Sequence, residues 1–163
     1  MSDQIELDAP DIGAVEKEQV CAAIDSGFVS SFGPWVAEFE HQFAQTVCVS
    51  SAVAIQSGTA ALHMALHVLG VKEGDEVIIP STTFAATLHA VMYVKATPVI
   101  VDVDQDTWCL SVDAFKAAIT PRTKAVIPVH LYGNACDMVA ITSIATAKDI
   151  FVVEDATESI KEG

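Results

Sequence analysis

The chain has 163 residues, enough for one domain with a core of its own. It carries 22 Asp and Glu against 8 Lys and Arg, a net charge of −14, which excludes the basic face that a nucleic-acid backbone requires. Hydrophobic residues make up 52% and mean hydropathy is +0.43, yet no apolar run approaches the roughly 18–20 residues that span a bilayer.

The first residues are acidic and lack a basic stretch ahead of an apolar one, so the sequence predicts no signal peptide and a cytoplasmic location. Cys21, Cys48, Cys109 and Cys136 stand far apart with no Cys-x-x-Cys pair. Neither a zinc site nor a disulfide framework is expected, and no metal site is assigned.

Residues 12–26 read as a helix, with Val15, Ala22 and Ile24 apolar, polar residues between them and Gly27 as its stop. A loop over 28–34 follows, then a helix over 35–46 whose Val36, Phe39 and Phe43 form an i, i+3, i+7 stripe, read as core packing. The apolar run 52–55 reads as a buried parallel strand, Gln56-Ser57-Gly58 as a tight turn and 59–69 as a helix. Four more strands are expected at 77–79, 98–102, 124–129 and 150–153. Helices are expected up to about Tyr93, from Ser111 to about Ile119, and over 137–148. Strict alternation of strands and helices predicts an α/β fold, a mainly parallel sheet covered on both faces in a three-layer α-β-α sandwich.

In such sheets ligands bind at the carboxyl ends of the strands. Here those ends carry Ser57-Gly58-Thr59, residues 81–84, Asp102, residues 130–133 and Glu154-Asp155. The turn before the 59–69 helix offers free N–H groups and a positive helix end to an anion, and Gly58 admits close approach. Taken alone, that segment reads equally well as an ordinary capped helix start. Together the strand ends suit a flat heteroaromatic ligand with a phosphate and a protonatable nitrogen. The phosphate would sit on the helix N-terminus, Phe84 on a ring face and a carboxylate on the ring N–H⁺.

Ser57-Gly-Thr-Ala-Ala-Leu62, Pro80-Ser-Thr-Thr-Phe-Ala-Ala-Thr87, Val129-His-Leu-Tyr-Gly133 and Val153-Glu-Asp-Ala-Thr-Glu158 occur in this order. With them the chain resembles the sugar aminotransferases of the DegT/DnrJ/EryC1/StrS family, over about residues 12–159. The resemblance implies a pyridoxal 5'-phosphate enzyme of the aspartate-aminotransferase fold that acts on nucleotide-linked keto-sugars. It implies an amino donor such as glutamate, active sites shared in a homo-oligomer and a role in polysaccharide biosynthesis. Residue by residue it implies Gly58 and Thr59 as the phosphate cradle, Phe84 as the ring that stacks on the pyridine and Asp155 as the partner of the pyridine nitrogen. Glu158 falls where many members carry Gln or His facing the phenolic oxygen.

Family members are about twice as long or longer, and their Schiff-base lysine lies in a Ser-Phe-x-x-x-Lys stretch beyond the Glu-Asp segment. Lys17, Lys72, Lys95, Lys116, Lys124, Lys148 and Lys161 do not occur in that context. The expectation is therefore the N-terminal part of such a large domain, residues 1–163, holding part of the cofactor pocket without its reactive lysine. Such a chain should be inactive alone and prone to self-association through an open sheet edge. Two other readings stay open: a non-catalytic binding module built on half of the fold, and a generic nucleotide-binding domain, which the lack of Gly-x-Gly-x-x-Gly weakens.

His63 and His67 have metal-binding spacing but lack the Glu of a His-Glu-x-x-His motif, and read as core or surface residues. His130 reads equally as a structural hydrogen-bonding group or a ligand contact. Asp102 and Asp104 read as solvated residues flanking a turn.

Overall fold

The computed structural model describes residues 10–160; Lys161 and the acidic first residues lie outside them. The chain divides into two compact units, Met1–Ala54 and Ile55–Gly163.

In the first unit, α1 spans Ala14–Asp25 and α2 spans Pro34–Thr46. The Glu16 carboxylate reaches back to accept the Gly13 N–H at 2.7 Å, satisfying a donor that the helix start leaves free. Pro34 opens α2, where a missing N–H costs nothing. Between the helices the Ser26 hydroxyl donates to the Ala23 carbonyl at 2.7 Å and accepts from Trp35 Nε1 at 3.0 Å. Gly33 sits at φ 137°, and a methyl there would lie 2.8 Å from Phe28 Cβ, so the turn requires glycine.

Among the described residues of this unit, only Ala44 is buried. Phe39 stacks on Phe43 at 5.8 Å but is 57% exposed, so the expected core stripe is only partly covered. The run 52–55 forms no strand, against expectation, and Val53 is 77% exposed. The Ala54 N–H donates to Glu40 Oε1 at 2.8 Å, so a side chain and not a neighbouring strand takes that donor.

In the second unit, α3 spans Gly58–Val68, β1 Glu76–Pro80, α4 Ala85–Tyr93, β2 Thr97–Val101 and α5 Val112–Ala118. β3 covers Thr123–Val126, α6 Met138–Ala147 and β4 Phe151–Val152. The strands form one sheet in the order β2-β1-β3-β4, and every pairing is parallel. Four of the five expected strands are therefore present.

β1 is buried along its whole length, as a central strand covered on both faces must be. Its side chains alternate between two cores. Val77 and Ile79 join Leu62 and Leu66 of α3 and Ala90 and Val91 of α4. Ile78 joins Phe115 of α5 and Ile141 and Ala145 of α6. The period of two along the strand thus builds the three-layer sandwich. At the amino end of the sheet, the Thr120 hydroxyl and the Arg122 guanidinium both bond the buried Glu76 carboxylate. At the carboxyl end, pairing continues past β3 and β4. His130 N–H donates to the Asp155 carbonyl and Asp155 N–H to the Pro128 carbonyl, both at 3.0 Å. That extension carries Asp155 to the same edge as the loop after β1.

Candidate functional site

A cavity of about 370 Å³ opens at this carboxyl edge, and Gly58, Thr59, Phe84, Asp155 and Glu158 all line it. All five residues singled out from the sequence meet in one place.

One wall is the start of α3. Ser57 is extended, and its Oγ accepts the Ala60 N–H at 3.2 Å while its carbonyl accepts the Ala61 N–H at 3.0 Å. The N–H groups of Gly58 and Thr59, the first two helical positions, have no acceptor within the helix. Both point to the positive end of an 11-residue helix dipole, which favours an anion. A methyl on Gly58 would meet only Thr157 Oγ1, at an ordinary 3.8 Å. The protein's own packing tolerates a larger residue there, so the free space serves whatever approaches the helix start.

The second wall is Phe84, the residue before α4, whose side chain is 77% exposed and free to take a ring against its face. The third is Asp155, whose carboxylate is buried. Its Oδ1 accepts from the Thr157 hydroxyl at 2.7 Å, and its Oδ2 from the Thr87 hydroxyl at 3.2 Å. No cation pairs with it among the described residues, where the ion pairs are Arg122 with Glu76 and His130 with Glu154. A buried carboxylate with only neutral donors, facing a cavity, suits a cationic N–H on a ligand.

Thr87 and Thr157 lie inside two of the motifs, but the sequence reading gives neither a role. Thr157 carried a faint signal, since a hydroxyl two residues after an Asp commonly bonds it. Thr87 is fully buried and lies 68 residues from Asp155 along the chain.

Glu158 is engaged rather than free. Its Oε2 accepts the Tyr132 N–H at 2.9 Å, and the neighbouring Ser159 hydroxyl donates to the Gly133 carbonyl at 3.3 Å. Together they clamp the loop after β3, where Tyr132 adopts φ 51°. His130 is buried, and the Cys136 N–H donates to its Nδ1 at 3.2 Å. Its proton therefore resides on Nε2, which donates to Glu154 Oε1 at 2.9 Å. The ring fixes the loop while forming part of the cavity lining. Cys136 donates its thiol to the Val129 carbonyl at 3.2 Å; burial, then the nearby Cys109, pushes that thiol up to about 12. It is a packing group, not a nucleophile.

The remaining candidates lie outside the cavity wall. Asp104 accepts from the Asp106 and Thr107 N–H groups and the Thr107 hydroxyl, which hold its carboxyl below the ordinary range. Asp102 bonds its neighbour Val103 N–H at 2.8 Å. His63 meets the edge of the Tyr93 ring, with centroids 5.5 Å apart, and His67 sits in the last turn of α3. Among the described residues no three His, Cys, Asp or Glu side chains gather as a metal site would need, and no helix is long and apolar enough to cross a membrane. No lysine lines the cavity among the described residues. Free N–H groups, an open aromatic face and an uncompensated carboxylate on three sides of one cavity fit the phosphate, ring and ring nitrogen of pyridoxal phosphate.

The chain is 44% identical over 150 residues to GDP-perosamine synthase of Escherichia coli O157:H7, covering 92% of this chain and 41% of that protein. The aminotransferase from Psychrobacter cryohalolentis superposes with a TM-score of 0.89 at 34% identity, over 93% of this chain and 38% of that one. The ntda protein of Bacillus subtilis, solved with bound cofactor PMP, gives a TM-score of 0.85 at 34% identity, over 98% of this chain and 39% of that one. The chain thus spans about two fifths of the relatives it matches. The family model described as the DegT/DnrJ/EryC1/StrS aminotransferase family matches residues 10–162, and the chain belongs to that family.

Proposed function

We propose that this chain supplies the phosphate-, ring- and nitrogen-binding side of a pyridoxal-phosphate site in an aminotransferase that acts on nucleotide-linked keto-sugars. The observation that carries this reading is the buried Asp155 carboxylate, which lacks a cation among the described residues and shares a cavity with Phe84 and the open start of α3. When bound, the cofactor supplies the electron sink that lets an amino group pass from an amino-acid donor such as glutamate to a keto-sugar. Gly58 and Thr59 hold its phosphate through their N–H groups, and Phe84 covers one ring face. Asp155 keeps the proton on the ring nitrogen. Glu158 shapes the cavity by fixing Tyr132 and does not face the phenolic oxygen as a free carboxylate.

Transfer also needs a lysine, as covalent partner and as proton carrier. With none in the cavity lining among the described residues, and none in a Ser-Phe-x-x-x-Lys context, our reading is that the 163-residue chain binds the cofactor without a covalent link and performs no transfer alone. The lysine comes from residues outside this chain, and the working assembly is an oligomer in the cytoplasm serving polysaccharide biosynthesis. The missing lysine also favours a second reading, a binding module that uses the cavity without transfer.

Titration of pyridoxal phosphate into the chain, followed by quenching of intrinsic fluorescence, tests the reading. A charge-assisted hydrogen bond is worth about 1.5–3 kcal/mol, so Asp155→Asn should lose roughly 10- to 150-fold in affinity. Equal affinities of variant and wild type would defeat the proposal. Aminotransfer by a longer chain containing these residues would decide between the enzyme and the module.

A further inference from the structure

We propose that Thr87 is a positioning residue for the ring nitrogen, linking the two sides of the cavity that grip the ring. This rests on the cofactor reading above and extends it to a residue that touches no ligand. The Thr87 side chain is fully buried within α4. A threonine inside a helix usually returns its hydroxyl to a carbonyl three or four residues back. Thr87 instead crosses to the β4 side of the sheet edge and donates to Asp155 Oδ2 at 3.2 Å. Its single proton is then spent, so the Thr83 hydroxyl supplies the proton for the 2.7 Å bond between Thr83 and Thr87.

The result is a relay from Thr83 through Thr87 to Asp155, met from the other side by Thr157 at 2.7 Å. Each oxygen of the carboxylate has one hydroxyl, and together they fix the plane of the group. Thr83 immediately precedes Phe84, and Thr87 N–H bonds the Phe84 carbonyl at 3.2 Å. One buried residue therefore fixes both the loop that presents the stacking ring and the carboxylate that meets the ring's edge. Shape alone does not demand threonine, because valine fills the same volume and is equally branched. What valine lacks is the donor. Without it, Asp155 Oδ2 loses its bond and the carboxylate is free to turn away from the ring nitrogen.

The consequence is selective. Losing the Thr87 hydroxyl should weaken a ligand that presents a ring N–H⁺ and spare one that does not. The test titrates pyridoxal phosphate and its 1-deaza analogue, in which carbon replaces the ring nitrogen, into wild type, Thr87→Val and Thr87→Ser by calorimetry. Thr87→Val should lose about tenfold for pyridoxal phosphate and stay within about twofold for the analogue, and Thr87→Ser should recover most of the loss. Thr83→Ala, at a half-buried loop position, should show the same selectivity at about threefold, and it carries the test should Thr87→Val not fold. Equal weakening of both ligands, or of neither, in a folded variant would overturn the role of Thr87 while leaving the cofactor reading standing. A wild-type chain that binds neither ligand would overturn both.

Discussion

The two units of the chain use apolar residues in opposite ways. In Ile55–Gly163, Phe115, Leu66, Ile78, Ile79 and Ile141 are shut away from water on the two faces of one sheet. In Met1–Ala54, Val15, Val20, Ile24 and Phe39 all stay more than half exposed, and α1 has no buried residue at all. Composition does not explain the contrast, since both stretches carry branched aliphatics and aromatics. Architecture does. A parallel sheet offers two faces, and each receives a pair of helices; α1 and α2 have no such layer of their own. Apolar periodicity decides which side of a helix seeks cover, and a second layer decides whether that side receives it.

The sharpest way to break this comparison is through the cysteines, two in each unit. Cys21 and Cys48 are exposed; Cys109 and Cys136 are buried. With Ellman's reagent at pH 8, the first pair should react at once. The second pair should lag by a factor on the order of 10³ or more, because a closed core admits reagent only on opening. At that pH the thiol of Cys136, pushed up to about 12, is also almost wholly protonated. Four equal rates would mean that the sheet unit is not closed. A slow Cys21 would sharpen the comparison instead, by revealing that something covers α1 in solution.

Large-to-small substitution comes next. Phe115→Ala empties a fully buried site between α5 and the sheet and should cost about 3–5 kcal/mol in urea unfolding. Phe39→Ala, the same change on α2, should stay within about 0.5 kcal/mol. Similar costs at the two positions would show that Phe39 is buried in the species present in solution.

What the sequence made legible follows the same division. β1 to β4 could be read because each is a short apolar run between turn signals, and parallel strands bring their ends to one edge. That rule alone brought Phe84 and Asp155 together. The run 52–55 looks identical on paper, but a strand exists only where a partner takes its N–H groups, and Glu40 takes that of Ala54. Thr87 was out of reach for the same reason: its partner is 68 residues away, and nothing local distinguishes it from a helix-filling threonine. Glu158 lines the cavity, yet its bond to Tyr132 depends on a loop conformation with φ 51° that no pattern announces. Sequence located the groups that line the cavity better than the groups that hold them.

A smaller effect separates the units by local geometry. Gly33→Ala forces a methyl to 2.8 Å from Phe28 Cβ at φ 137°. The strain should cost on the order of 1–3 kcal/mol and be confined to the α1–α2 link. Hydrogen exchange should quicken at residues 28–46, while amides of β1 and β3 keep their protection. Loss of protection in both units would show that the two unfold as one.

The smallest expected effect is the acid limb of stability, where one lowered carboxyl from each unit can be compared. The Thr120 hydroxyl, chiefly, and the Arg122 guanidinium hold the Glu76 carboxyl below its ordinary value of 4.5, against the opposing influence of burial. In the first unit, Glu16 is also lowered from 4.5, by its own N–H and that of Gly13 at an exposed helix start. A carboxyl whose native value is depressed stabilises the fold fully above the unfolded value. That contribution fades as pH falls through about 4.5 toward the lower native value. Melting temperatures measured from pH 6 to pH 3 should therefore drop, and Glu76→Gln should remove part of the drop, on the order of a few degrees. Glu16→Gln should change the profile little, because water screens its bonds and the helix start it caps is already exposed. The comparison turns on burial: Glu76 is only 5% exposed, so protonating it leaves the Thr120 hydroxyl facing a neutral acid and takes from the largely exposed Arg122 its buried partner. If Glu16→Gln flattened the limb as much as Glu76→Gln, the start of α1 would have to be shielded from water in solution.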